Sequence, residues 1–290
     1  HLEYQQGMGE QYLGSLLDRL PDARQVLAIG GGNALDVGKY VAWKLEKPLV
    51  MIPTIVSSGA VFQSYIAVRG STGLEFHDTI APEHLLFDFG LIRSAPPSLN
   101  CAGMGECICQ LGVMAGWQWW DAKGLGGRPY DKAMAEQTLS WVRDQATRFS
   151  EDLDEEGQPQ EVGIRIAAEI NRERHELPTA KVVEGRNVDH TFVVAFELMQ
   201  GRELIHSEGV ALGTLISTYI YESYFDESKA LLDACHVRYR PREIGCSLKE
   251  LREVLGKINE FAGGLPTENW FAHRCFDDKS FDRMVELIDG

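Results

Sequence analysis

The stretch DHTFVVAFELMQGRELIHSEGVALG, residues 189–213, holds His190 and His206 sixteen positions apart, in two segments that otherwise read as buried helix. Imidazole can ligate a metal or carry a proton near neutral pH. Acids stand beside both histidines, at Asp189 and Glu208. A lone histidine on an apolar helix is more often a satisfied core residue than a ligand, so the pair needs support from elsewhere in the chain.

A second chemical signal is VLAIGGGNALDVGKY, where Gly30, Gly31 and Gly32 follow a strand-like run and open a helix-like one. Glycines there let the backbone approach a ligand, and a helix N-terminus offers unpaired N–H groups that suit a pyrophosphate. The pattern is not G-x-G-x-x-G, and a tight turn without a ligand is the plain alternative. Asp36 and Lys39 stand one helical turn apart, as a surface ion pair would.

These residues need elements to hold them. QVLAIG (25–30), PLVMIPT (48–54), YIAVRG (65–70) and HLLFDFGLI (84–92) read as buried strands, and helical periods run over 3–20 and 34–46. Strands alternating with helices predict a parallel sheet covered on both faces. After APPSLN (95–100) the pattern turns helical, over 101–122, 129–149, 160–177, 188–201, 204–223 and 247–262, with EDLDEEGQPQE (151–161) as an acidic connector. The expected architecture is an α/β domain with a parallel sheet over 1–96, then an all-helical domain over 97–290. Sites in such proteins lie at the domain interface, beyond the C-terminal ends of the strands.

The bulk figures fit a chain of two domains. The chain has 290 residues, 44% of them hydrophobic, enough for a large core. A net charge of -15 argues against nucleic acid or an anionic membrane as the main partner. No apolar run is long enough to suggest a membrane span, and no secretory leader is visible; with no Met at position 1, the gene is expected to start elsewhere. The six cysteines show no CxxC pair, and reduced, buried thiols in a cytoplasmic protein are expected.

The motif GGGNALDVGKYVA followed by PLVMIPT resembles the nucleotide-binding region of the dehydroquinate synthase and iron-dependent alcohol dehydrogenase superfamily, and most of all its glycerol-1-phosphate dehydrogenase-like branch. APEHLLFDFGLIRSAPPSLNCAGMGE, GRPYDKAMAEQTLSWV and REIGCSLKELREVL continue the likeness over roughly residues 25–262. The resemblance implies a dehydroquinate synthase-like fold, in which the α/β domain over 1–96 is Rossmann-like and binds a dinucleotide. The first strand–helix unit of that fold, normally ahead of the glycine turn, is expected to be either missing from this chain or diverged beyond recognition. The resemblance implies NAD or NADP over Gly30–Gly32, with Asp36, Lys39, Thr54, Ser57, Ser58 and Gln63 as further cofactor-side residues. It also implies one divalent metal between the domains, held by Glu106 of CAGMGE, His190 of RNVDHTF and His206 of HSEGVALG. One oxygen and two imidazole nitrogens suit Zn²⁺ above all, with Fe²⁺ or Ni²⁺ as alternatives, and leave positions open for substrate. Glu208 is a candidate acceptor for an imidazole N–H.

The chain departs from the family pattern at several points. Glu106 replaces the aspartate usual in the reductase-like branch. Val194 stands where many relatives have another histidine, and no aspartate lies in 53–69, where Gly59 aligns with one near the nicotinamide. An apolar wall around Val194 is therefore expected. Cys109 stands where a cyclising synthase has a lysine. Trp117, Trp119 and Trp120 are expected at the domain interface. His175, His236 and His273 are expected on the surface, and Arg186 is a candidate contact for a substrate anion.

The leading expectation is a metal-dependent NAD(P)-linked dehydrogenase of a small polyol or polyol phosphate, homo-oligomeric and cytoplasmic. The alternatives are a sugar-phosphate cyclase using NAD transiently, and a repurposed relative without redox activity.

Overall fold

The computed structural model describes residues 1–70, 73–124, 128–174, 176–181, 188–261 and 278–290. Helix α1 (Glu10–Arg19) leads to strand β1 (Val26–Gly30), helix α2 (Gly32–Leu45) and strand β2 (Leu49–Pro53). β1 and β2 pair in parallel from Val26↔Leu49 to Gly30↔Pro53, and Gly38 of α2 lies so close to Ala28 of β1 that a Cβ would clash. Helix and sheet thus meet directly behind the glycine turn. α2 ends at Glu46, which is left-handed with φ 50°.

The sheet is smaller than the sequence pattern predicts. Its third strand, β5, is only His84–Leu85, paired in parallel with Val50 and Met51 of β2. The strand expected over 84–92 breaks off because the Asp88 side chain accepts from Leu91 N at 3.0 Å and starts helix α3 (Phe89–Arg93). The segment YIAVRG is a strand, β3 (Tyr65–Gly70), but it lies outside the parallel sheet. It pairs antiparallel with β4 (Gly73–Thr79), a strand the sequence pattern did not reveal. The apolar run identified a strand and could not identify its partner.

From Phe89 onward every described regular element is helical: α4 (Pro97–Cys101), α5 (Gly105–Ala122), α6 (Lys132–Ser150), α7 (Glu161–Glu173), α8 (Val188–Gln200), α9 (His206–Ile220), α10 (Phe225–Ala234), α11 (Leu248–Lys257) and α12 (Asp278–Asp289). α5 and α9 are buried almost all round, as helices at the centre of a bundle must be. α10 and α12 were not foreseen. Asp131 caps α6 through Met134 N at 3.0 Å, and Ser247 with Glu250 forms a capping box on α11.

The main core lies among α5, α6, α8 and α9, and includes Trp117, Trp120, Phe192 and Phe196. The tryptophans expected at the interface instead pack inside the helical region. Trp117 donates to Arg128 O at 3.1 Å, and Trp119 packs on Tyr221. The five described cysteines are free and buried, and burial pushes the Cys107 and Cys109 thiols well above their ordinary range. His236 is exposed. His175, Arg186, His273 and Cys275 lie outside the described residues. Among the described residues no helix is long and apolar enough to cross a membrane.

Candidate metal and cofactor site

Each expected ligand sits in the first turn of its own helix: Glu106 in α5, His190 in α8, and His206 as the first residue of α9. Close helix packing brings them together. A Cβ on Gly105, beside Glu106, would run into the carbonyl of Ser207, beside His206. A Cβ on Gly213 would come within 2.6 Å of the Cα of Asp189, beside His190. Glycine is therefore required where α5 meets α9 and where α9 meets α8.

The ligand atoms of Glu106, His190 and His206 all lie within 4.8 Å of one another. Glu106 Oε1 is 3.1 Å from His206 Nε2, and Oε2 is 3.5 Å from His190 Nε2. Bonds of about 2.0–2.1 Å to a tetrahedral zinc put neighbouring ligand atoms about 3.3–3.4 Å apart, and the two carboxylate-to-imidazole separations lie on either side of that value. Asp189 Oδ1 lies 2.7 Å from His190 Nδ1, which places the N–H at Nδ1 and turns Nε2 toward Glu106. Asp189 is fully buried, and its other oxygen has no hydrogen-bond partner among the described residues.

The electrostatics draw positive charge to this point. Burial alone would raise the Glu106 carboxyl, but Arg174 and then His190 hold it well below the usual carboxylate range. Burial also works against a charged His190, yet Asp189 and Glu106 together lift its pKa to about 10. Arg174 Nη1 donates to Glu106 Oε2 at 2.5 Å.

A cavity of about 280 Å³ opens over this cluster and reaches the glycine turn. Gly32, Asp36, Ser58, Gly59 and Gln63 line it on one side, and Glu106, Arg174, His190 and His206 on the other. Gly31 and Ser57 line an adjoining opening that shares Gly32, Ser58 and His206. Gly30 turns the chain with φ 150°, and Thr54 N donates to its carbonyl at 3.0 Å. Ser207 ties the two halves together: its hydroxyl donates to Ser57 O and stands 3.4 Å from Glu106 Oε1. The apolar part of the wall is Val193, Val194, Ala67 and Phe76, so Val194 does face an apolar surface.

Three sequence-based assignments change. Asp36 and Lys39 are not a surface pair: both are buried, and Lys39 Nζ donates to Asp36 Oδ1 at 2.9 Å, Ala60 O at 2.7 Å and Tyr65 O at 3.4 Å. Those bonds anchor the turn at residues 59–61 and β3 to α2, and neither Lys39 nor Thr54 lines the cavity. Glu208 does not orient an imidazole; it is buried and accepts from Arg238 Nε at 2.7 Å. Asp189 holds His190 instead. Asp189 was legible as a flanking acid but not as this partner, and nothing in INRERH singled out Arg174.

The comparisons agree with this architecture. Residues 6–96 match the family model described as iron-containing alcohol dehydrogenase. A curated glycerol-1-phosphate dehydrogenase (NAD(P)+) of Sulfurisphaera tokodaii is 25% identical over 76% of the chain and 62% of its own length. Another, of Staphylothermus marinus, is 25% identical over 79% of the chain and 64% of its own length. The chain thus spans roughly three fifths of the length of these relatives. Among solved structures, glycerol dehydrogenase of Schizosaccharomyces pombe has a TM-score of 0.62 at 17% identity, covering 97% of this chain and 73% of that one. Maleylacetate reductase of Agrobacterium tumefaciens has a TM-score of 0.62 at 14% identity, covering 99% of this chain and 80% of that one. These structures speak to the fold. With the family match confined to residues 6–96 and the relatives about 25% identical over some three quarters of the chain, the chain is similar to the iron-containing alcohol dehydrogenases in its first third and to glycerol-1-phosphate dehydrogenases over most of its length.

Proposed function

We propose that the chain is a metal-dependent, NAD(P)-linked dehydrogenase of a small polyol or polyol phosphate. The observation that carries this is one cavity bounded by the glycine turn and by a carboxylate with two imidazoles at metal-ligand spacing. The names of its relatives support the cofactor and the substrate class. Residues 1–96 serve as the dinucleotide part and residues 97–290 as the metal and substrate part.

In this reading Glu106, His190 and His206 hold one divalent metal, zinc by preference for this donor set, with iron or nickel as alternatives. When bound, the metal supplies Lewis acidity that lowers the pKa of a substrate hydroxyl. Gly30–Gly32 let the dinucleotide phosphates approach the N-terminus of α2. Asp189 fixes the His190 tautomer, and Ser207 holds the Ser57 loop against Glu106. Ser58 and Gln63 face the cavity from the cofactor side, and Val193 and Val194 bound the substrate with an apolar wall. Asp36, a buried carboxylate on the same lining, is the acid nearest in sequence to the glycine turn.

The cyclase alternative needs a cationic grip that the described residues do not offer at Cys109. That thiol is fully buried and donates to Glu106 O at 3.3 Å. We read the chain as a cytoplasmic, self-associating enzyme acting on a free small molecule. NADH and NADPH absorbance followed with a panel of polyols and polyol phosphates tests the function. Net absorbance change with one of them is expected; cofactor binding without turnover on any would leave the redox assignment without support.

A further inference from the structure

Arg174 stands at the C-terminal end of α7 and reaches the cavity from there. Its side chain is 16% exposed, and its guanidinium holds the almost fully buried Glu106 carboxylate through Nη1 at 2.5 Å. An arginine stays charged under all ordinary conditions, so the carboxylate of the metal cluster already has a full counter-cation. That contact uses Oε2, the same oxygen that faces His190 Nε2 at 3.5 Å. A dication at the cluster and the guanidinium therefore compete for one carboxylate and repel each other at close range.

Among the described residues, the other cations near the cavity are committed elsewhere. Arg69 is bound by Glu197 and, at 2.6 Å, by Glu203. Lys39 spends its protons on Asp36 and two carbonyls. Arg174, if it leaves Glu106, still lines the cavity on the same side as His190 and His206.

We infer that Arg174 is the resident counter-cation of Glu106, which an arriving metal displaces, and that the displaced guanidinium becomes the anion-binding arm of the cavity. Metal loading and anion binding are then coupled through one side chain. The inference rests on the metal assignment proposed above and adds to it a competitor and a second duty for that competitor. It involves no change of covalent bonds, only an exchange of ion pairs.

The test measures Zn²⁺ affinity and, in the zinc-loaded protein, sulfate affinity for the parent, Arg174→Met and Arg174→Gln. Removing the competitor should tighten zinc by about tenfold or more, and removing the anion arm should weaken sulfate by a similar factor, within the usual range of site coupling. Opposite directions in one variant separate this duty from general damage, which weakens both. Arg174→Gln removes the charge but keeps a polar side chain about as long as methionine, so it gives the same reading if the methionine variant folds poorly. Zinc binding in the two folded variants that is unchanged or weaker than in the parent would overturn the inference. If Glu106→Gln binds zinc as well as the parent, the metal assignment itself fails, and that outcome is distinguishable from the first.

Discussion

Gly213 of α9 lies against the backbone of Asp189 of α8, so close that a Cβ would come within 2.6 Å of the Asp189 Cα. Because Asp189 adjoins His190, this contact sets the distance between α8 and the histidine that opens α9. Gly213→Ala must push the helices apart, at a cost of about 1–3 kcal/mol, as overpacking does. Denaturant unfolding should show that loss, with zinc affinity falling alongside it. Unchanged stability and zinc affinity would mean that the helix spacing does not govern the site.

Asp189 should matter to the metal without touching it. Its carboxylate accepts from His190 Nδ1 at 2.7 Å and so presents Nε2 to the cluster. Asp189→Ala should weaken zinc by about 10–100-fold, the range seen for residues that orient a ligand. Asp189→Asn, which keeps an acceptor oxygen, should lose less. Equal zinc affinity in all three proteins would rule out this orienting role.

A side chain on the glycine turn should obstruct the dinucleotide. At Gly31 a Cβ would meet Ile55 Cδ1 at 2.8 Å, a contact the isoleucine tip can yield to, so the variant should fold. Gly31→Val should then bind NADH and NADPH at least about tenfold more weakly, because the backbone can no longer approach the phosphates. Fluorescence titration with circular dichroism as the folding control decides the matter; full affinity in a folded variant would place the cofactor elsewhere.

Asp36 gives a pH signature. Burial raises its carboxyl from 3.8 to about 6, and Lys39 offsets this only in part. A folded pKa above the unfolded one contributes stability that is fully present below about 3.8 and is lost as pH rises through about 6. Relative to Asp36→Asn, the parent should therefore lose stability between those two values. A stability difference that stays flat, or moves in the parent's favour, would contradict the raised pKa.

Much of the fold was legible because its signals are periodic. α5, α8 and α9 announced themselves through long apolar segments, and the glycine turn through its place between a strand and a helix. Glu106, His190 and His206 were legible through motif resemblance, since no local pattern joins residues so far apart in sequence. What stayed hidden depends on partners. An apolar run does not say whether β3 joins the parallel sheet or a hairpin with β4. HLLFDFGLI reads as one strand until Asp88 caps a helix in its middle. Lys39 resembles half of a surface pair until its three acceptors bury it. Arg174 lies in a charged helix end that looks like any solvated one, and only the packing of α7 brings it to Glu106.

The most direct measurement of the central claim is metal content per chain after purification and zinc loading, for the parent, Glu106→Gln, His190→Ala and His206→Ala. The ligand atoms of these residues lie within 4.8 Å of one another, so each should be needed. The parent should hold one zinc per chain, and each variant should bind at least about tenfold more weakly. A His206→Ala protein that keeps full zinc occupancy would contradict the assignment.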